Sequence, residues 1–318
     1  MSVIQLVGFL LASYAVVGND SLQTLGSYLS SNKNITPKSL QMIFICGITL
    51  VVLFSGWVLN SGDPSWSRLD RFSIPDQFTW VYLIPPIAVL FLTRWGAPVS
   101  TSFLVLSTFT LENSDDLIFS SLQGYLIAFA LAFVVYGSSL WMMERFILSS
   151  SATNQKPAAY WFALQWLSTG LLWSQWLVQD LANIFIYLPR DLSLVQMGFA
   201  SLILCLGLCF LIANGGGPIQ QVLQTKTNTS DLRAATFIDL LFALVLFLKA
   251  SLSTFPLSTT WVFLGLLAGR EIAIILKLRN RTPSELPKIL GKDFWKAGIA
   301  VVVSLAVALL IQPLTALT

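Results

Sequence analysis

The sequence contains no histidine. That absence excludes Ser-His-Asp and Cys-His catalysis, His-ligated zinc and His proton relays together. Charge is almost as scarce. Only 10% of the 318 residues are charged, 18 basic and 15 acidic, against about 25% in an ordinary soluble domain. So few charges cannot cover a soluble particle of this size, which excludes a soluble protein, a disordered chain and a disulfide-framed secreted module. The net charge of +3 is too small for a nucleic-acid binder. The three cysteines, Cys46, Cys205 and Cys209, all lie inside apolar runs with no CxxC pair. They read as small apolar side chains, not as thiolate ligands.

What is present is apolar length. Apolar residues make up 55% of the chain and the mean hydropathy is +0.75. A bilayer-spanning helix needs about 20 mostly apolar residues. Continuous candidates lie at about 39–59, 119–143, 159–178, 192–213, 234–250 and 294–312. Others are interrupted. Residues 3–17 are apolar until Gly18-Asn19-Asp20 breaks the run, and residues 78–93 carry Pro85-Pro86, which kink or divide a helix. Residues 95–111 and 252–276 are punctuated by Ser-Thr motifs. The expectation is an all-α polytopic membrane protein of about 10–12 segments, several broken or re-entrant. The first Lys or Arg is Lys33, so the N-terminus lacks a basic signal-peptide region and reads as an uncleaved membrane segment. Six of the 18 basic residues fall between Lys277 and Lys296. The loop 279–293 is therefore predicted to be cytoplasmic, with the C-terminus outside.

The two halves repeat the same features in the same order. Gly18-Asn19-Asp20 is matched by Gln179-Asp180-Leu181-Ala182-Asn183, with 160 residues between the aspartates. Asn60-Ser61-Gly62-Asp63-Pro64 is matched by Asn214-Gly215-Gly216-Gly217-Pro218. An apolar helix then ends near Arg94 or Lys249. Pro98-Val99-Ser100-Thr101-Ser102 is matched by Pro256-Leu257-Ser258-Thr259-Thr260, with Ser100 and Ser258 separated by 158 residues. The agreement of the two offsets predicts a duplication: residues 1–148 and 159–318 as inverted repeats, joined by a polar linker at 149–158. Duplicated halves with matched broken helices form a transporter pattern, with sites near the midplane. Non-helical backbone at that depth is tolerated only where it is buried or lines a cavity.

The repeated residues fit two kinds of ion. A Pro followed by Ser and Thr suits a helix start, where hydroxyls cap free N–H groups and the dipole end is positive. Ser100, Thr101, Ser102, Ser258, Thr259 and Thr260 are thus candidates to hold an oxyanion, one tip from each half. The plain alternative is capping alone. An aspartate inside a membrane costs about 3 kcal/mol, so Asp20 and Asp180 must face a cavity, a cation or a partner unless they lie at the interface. With Asn19, Gln23, Gln179 and Asn183 they offer oxygen ligands to a hard cation such as Na⁺, and either carboxylate could instead carry a proton. Arg94 and Lys249 read as interface residues that snorkel. Arg270, Glu271 and Glu112 read as far helix ends, and Asp239 as the start of the helix leading to Lys249.

These motifs resemble the inorganic phosphate transporter (PiT) family, over about residues 3–312. Val17-Gly18-Asn19-Asp20-Ser21-Leu22-Gln23-Thr24 and Leu177-Val178-Gln179-Asp180-Leu181-Ala182-Asn183-Ile184 are similar to its repeated Gly-Ala-Asn-Asp-Val-Ala-Asn-Ala element. Gln23 and Gln179 replace asparagines, Ser102 replaces a threonine, and Phe103 and Trp261 stand where a histidine is usual. The resemblance implies two inverted repeats and cation-coupled oxyanion uptake. It also implies Na⁺ and substrate at the Asp and Asn positions, and phosphate at the hairpin tips. Asp20, Asp180 and the six hydroxyl residues are then substrate-binding. Asn19, Asp20, Gln23, Gln179, Asp180 and Asn183 are then cation-binding.

The reading is a symporter of inorganic phosphate coupled to Na⁺ or H⁺, multi-pass in the cell (inner) membrane. Acceptor carboxylates favour phosphate, which has protons to donate, over sulfate. A sulfate or other oxyanion permease and a non-transporting receptor or scaffold remain the alternatives. An aspartyl protease using Asp20 and Asp180 would leave the Ser-Thr motifs unexplained. No enzyme activity and no cofactor beyond the coupling ion are expected. Expected partners are phosphate or sulfate, the coupling cation and lipid, with no nucleic acid; a homodimer is left open.

Overall fold

The computed structural model describes residues 2–94, 99–109, 114–152, 157–215, 231–253 and 255–278, with scattered positions between 291 and 311. Pro98, Glu112, the Gly216-Gly217-Pro218 element, linker residues 153–156, residues 279–290 of the basic loop and most of the predicted 294–312 span lie outside the described residues.

Ser2 opens α1 (Val3–Asn32) with a capping box: its hydroxyl accepts from Gln5 N–H, and Gln5 Oε1 accepts from Ser2 N–H. The helix then continues for 30 residues without interruption. The break expected at Gly18-Asn19-Asp20 does not occur. The polar side chains at this point find partners across the bundle, so the backbone has no need to unwind. Pro37 starts α2 (Lys38–Leu59). A 3₁₀ turn (Trp80–Leu83) leads into α3 (Ile84–Arg94). Pro85 and Pro86 therefore occupy its first turn, where their missing N–H groups cost nothing. They start a helix where the sequence led us to expect a kink or a division.

A π-helical turn (Ser102–Leu106) runs into α4 (Ser107–Phe109). These eight residues rise only about 12 Å, less than half of a bilayer core. Then α5 (Ser114–Val135), a π turn (Tyr136–Leu140) and α6 (Trp141–Ala152) form one long apolar path. The second half holds α7 (Tyr160–Asp180), the single turn α8 (Ala182–Phe185) and α9 (Leu194–Ala213). It ends in α10 (Leu232–Leu252) and α11 (Thr259–Leu278). Ser193 and Gln196 repeat the capping box at α9, and Asp231 caps α10 by accepting from Arg233 N–H at 2.8 Å.

Among the described residues, six helices are long and apolar enough to cross a membrane, and the protein is an all-α polytopic membrane protein. The predicted 159–178 segment forms α7 but is not one of the six, because Gln165, Ser168, Thr169 and Gln179 dilute its apolar character. All four are buried against neighbouring helices.

Two contacts hold the bundle. α7 lies along α10, and α5 lies along α11. The second depends on Gly265 and Gly269, one helical turn apart. A Cβ at Gly265 would sit 2.3 Å from the Tyr125 carbonyl oxygen, and one at Gly269 2.2 Å from that of Phe129. Small residues spaced in this way let two backbones touch, which is how membrane helices associate without a hydrophobic drive. α1 packs against α3, α7, α8, α9, α10 and α11. It therefore carries Asp20 through the middle of the protein.

Candidate functional site

Ser100 and Ser258 each cap a helix. Ser100 Oγ accepts from Phe103 N–H at 3.2 Å, and Ser258 Oγ accepts from Trp261 N–H at 3.3 Å. The residue after each serine is a threonine that donates to an aspartate of its own half. Thr101 Oγ1 donates to Asp20 Oδ2, and Thr259 Oγ1 donates to Asp180 Oδ2 at 2.7 Å. One bond has thus been built twice, at nearly the same sequence separation.

The two copies also touch. Thr260 Oγ1 donates to the Val99 carbonyl at 3.0 Å, and Ser102 Oγ donates to the Leu257 carbonyl at 3.3 Å. Each hairpin tip is therefore tied to the backbone of the other. Asn19 Nδ2 donates to Asp20 Oδ1 at 2.6 Å and to the same Val99 carbonyl at 2.9 Å. Asn183 Nδ2 faces Asp180 Oδ1 at 2.9 Å, Ser102 Oγ at 3.1 Å and Thr101 Oγ1 at 3.4 Å. A continuous path of hydrogen bonds joins Asp20 to Asp180 through Thr101 and Asn183. Phe103 and Trp261, the residues one turn into each tip helix, meet with ring centroids 5.8 Å apart.

Of the predicted residues, Ser100, Thr101, Ser102, Ser258, Thr259, Thr260, Asn19, Asp20, Gln179, Asp180 and Asn183 are all buried. Every one of these except Gln179 hydrogen-bonds within one tip or across the two. Gln179 instead donates to the Leu246 carbonyl at 3.4 Å. Gln23 is buried in α1 but stands outside this network. Three amide oxygens have no hydrogen-bond donor: Asn19 Oδ1, Gln179 Oε1 and Asn183 Oδ1. Buried polar atoms normally have a partner. Three acceptors beside two carboxylates form a donor set for a hard cation, which takes oxygen ligands.

One site residue escaped the sequence reading. Arg68 is only 3% exposed and donates to the carbonyls of Ser253 at 3.4 Å and Phe255 at 3.5 Å, just before the second tip. A tight turn places it there. Trp66 and Ser67 both hold positive φ, at 59° and 57°, a left-handed conformation that costs non-glycine residues energy. Asp63 organises the turn by accepting from Ser65 N–H at 2.8 Å, Ser65 Oγ at 2.7 Å and Ser67 N–H at 3.2 Å. Arg68 lies within electrostatic reach of Asp180. The available signal was the Gly-Asp-Pro-Ser turn itself, which the duplication argument used only as a repeat marker.

Three other expectations need correction. Asp239 is not at a helix start; it is fully buried inside α10. Arg270 is not at a helix end; it is buried and pairs with Glu144 at 2.6 Å, joining α11 to α6. Lys249 does not snorkel; it is 7% exposed and its Nζ donates to Gln123 Oε1 at 3.1 Å. In each case a neighbouring helix supplies a polar partner that hydropathy does not reveal. Arg94 is exposed, as expected.

The fold and these contacts define a class: an all-α membrane bundle whose centre is two interlocked hairpin tips. Comparison with solved structures agrees. A chain titled "The sodium-dependent phosphate transporter" superposes with a TM-score of 0.62, covering 97% of this chain and 98% of that one at 15% identity. At that identity the likeness shows the fold alone, and it is the fold that the resemblance implied. No family model matches the sequence, and no curated protein matches it.

Proposed function

We propose that the protein is a secondary transporter that carries inorganic phosphate across the membrane with a coupling cation, and is not an enzyme. The observation that carries this reading is the doubled Asp–Thr hydrogen bond at two hairpin tips that are tied to each other. The fold of a protein titled a sodium-dependent phosphate transporter supports it.

The chemistry follows from charge. Two buried carboxylates repel an oxyanion, so binding needs compensating positive charge. Asn19, Gln179 and Asn183 hold unpaired oxygens beside Asp20 and Asp180, which fits Na⁺. Cation binding there removes the repulsion and frees hydroxyls of Thr101, Ser102, Thr259 and Thr260 to turn toward the anion. Capped helix starts at Ser100 and Ser258 add positive dipole ends. Arg68 contributes the fixed positive charge on the second-tip side. Asp20 and Asp180 can accept hydrogen bonds from a protonated phosphate oxygen but not from sulfate, which has no proton to give. The proposal extends to inverted repeats at 1–148 and 159–318, rocking about the tips. It includes a cytoplasmic loop at 279–293 in a cell (inner) membrane.

Uptake by proteoliposomes of labelled phosphate and sulfate tests this, with Na⁺ and pH gradients imposed separately. Phosphate uptake driven by the Na⁺ gradient is expected, with sulfate a weak substrate. It should be lost in the Ser258→Ala/Thr259→Ala double variant. Uptake that ignores both gradients, or survives in that variant, overturns the proposal.

A further inference from the structure

A second buried carboxylate lies away from the hairpin tips. Asp239 is 0% exposed on α10. Ser27 Oγ of α1 donates to its Oδ1, and Thr169 Oγ1 of α7 donates to its Oδ2. Ser27 stands seven residues beyond Asp20 on α1, about 10 Å along the helix. The two centres are therefore separate stations on the same element.

Among the described residues, no cation faces this carboxylate from the helices packed on α10. Arg233 of α10 pairs with Asp231 at 2.7 Å, and Lys249 turns to Gln123. From α11, Arg270 is committed to Glu144 of α6 at 2.6 Å. The Tyr136 side chain lies within electrostatic reach of Asp239, and the Arg270 guanidinium covers its ring at 5.5 Å. α1 and α7 contribute only the neutral Ser27 and Thr169. An isolated anion at this depth costs several kcal/mol (roughly 3 on insertion scales). A sodium ion would need more oxygens than two hydroxyls and one carboxylate provide. A proton needs only one of them.

From Asp239, polar side chains continue toward the surface. Gln165 Nε2 donates to Thr169 Oγ1 at 3.0 Å, Asn32 Nδ2 to Gln165 Oε1 at 2.8 Å, and Thr36 Oγ1 to Asn32 Oδ1 at 2.9 Å. Thr36 adjoins Lys33, Asn34 and Ile35 in the exposed turn between α1 and α2. An aspartate without a function would need no such connection to water through a membrane bundle.

We propose that Asp239, with Ser27 and Thr169, is a proton-binding site distinct from the hairpin-tip site, exchanging with water at the α1–α2 turn. The step is a proton transfer alone. Hydronium at the α1–α2 turn gives up a proton and becomes water, one carboxylate oxygen of Asp239 gains that proton, the new O–H donates to Ser27 or Thr169, and release reverses it. The inference does not depend on the transported anion.

Infrared difference spectra of the full chain in lipid nanodiscs test it, with pH stepped and no phosphate or Na⁺ present. A carboxylic-acid C=O band that responds to pH is expected. It should be lost in Asp239→Asn, kept in Asp20→Asn/Asp180→Asn, and displaced in frequency by Ser27→Ala and Thr169→Ala. The alanine variants keep the test decisive should Asp239→Asn fail to fold. A spectrum identical in wild type and Asp239→Asn, or unmoved by both alanine variants, overturns the proposal. A band bleached by Na⁺ at constant pH would assign the site to that ion and overturn it equally.

Discussion

The two hairpin tips make the same bonds from different surroundings. At the first, Asp20 lies within an unbroken helix, and the tip helix passes through a π turn. At the second, the helix bearing Asp180 ends at that residue, and the tip helix α11 runs for 20 residues. The residues three positions beyond each aspartate also differ. Asn183 sits at the centre of the network and reaches into the first tip, whereas its counterpart Gln23 takes no part. Arg68 stands beside the second tip. The two tips carry equal carboxylate–hydroxyl pairs, but the linking amide and the positive charge both stand on the second.

The largest effect should come from the aspartates and should be nearly equal in the two halves. Asp20→Asn and Asp180→Asn each remove a carboxylate held by its own threonine and asparagine. Breaking a buried charge arrangement of this kind costs about 3 kcal/mol, roughly a hundredfold in uptake. Initial rates in proteoliposomes measure this. A large loss in only one variant would mean that one half alone binds substrate and the doubled bond is a relic.

The next effect should be unequal. Asn183→Ala strands hydroxyls of the first tip and Asp180 Oδ1 together. Orphaned buried groups cost about 1–3 kcal/mol, so uptake should fall roughly tenfold. Gln23→Ala should change it by less than about twofold, since its side chain holds none of the tip hydroxyls or carboxylates and its loss orphans none of them. Equal losses would show that Gln23 enters the site in another state. Arg68→Lys sharpens the comparison further. Lysine keeps the charge, but its compact ammonium does not reproduce the delocalised guanidinium whose Nη1 reaches both carbonyls. The half-saturating phosphate concentration should rise about fivefold, roughly 1 kcal/mol, with the maximal rate little changed.

Different parts of this architecture were legible to different degrees. Apolar runs marked α2, α9 and α10 within a few residues of their ends, because lipid selects by length and hydropathy alone. The Asp-Asn and Ser-Thr residues that meet at the tips were legible because the two motifs recur in one order, and order is readable without distance. Helix breaks were legible only in part: the helix expected to end at Gln179-Asp180 does end there, but the first expected break is absent. Gly18-Asn19-Asp20 looks like a terminator in isolation, yet Val99 and Thr101 supply partners for its side chains and the helix continues. Asp239, Lys249 and Arg270 were misplaced for the same reason. Their partners Ser27, Thr169, Gln123 and Glu144 lie on other helices, and a one-dimensional pattern does not encode which helix faces which. Arg68 was missed because its position depends on two left-handed residues, and backbone sign at Trp66 and Ser67 leaves no mark in composition.

The two N-caps test how firmly each tip is held. Ser100→Ala and Ser258→Ala both delete an N-cap, worth about 1 kcal/mol. Among the described residues, no side chain of another helix bonds to Ser100 at the first tip. At the second, Ser258 N–H also donates to Ser121 Oγ on α5 at 2.8 Å, and α11 is clamped to α5 by Gly265 and Gly269. Ser100→Ala should therefore lower uptake roughly fivefold, close to the full value of the cap, and Ser258→Ala only about twofold. Adding Ser121→Ala to Ser258→Ala should remove the difference. If the single variants already match, the α5 contact contributes nothing to the second tip. The asymmetry between the halves would then reside in Asn183 and Arg68 alone.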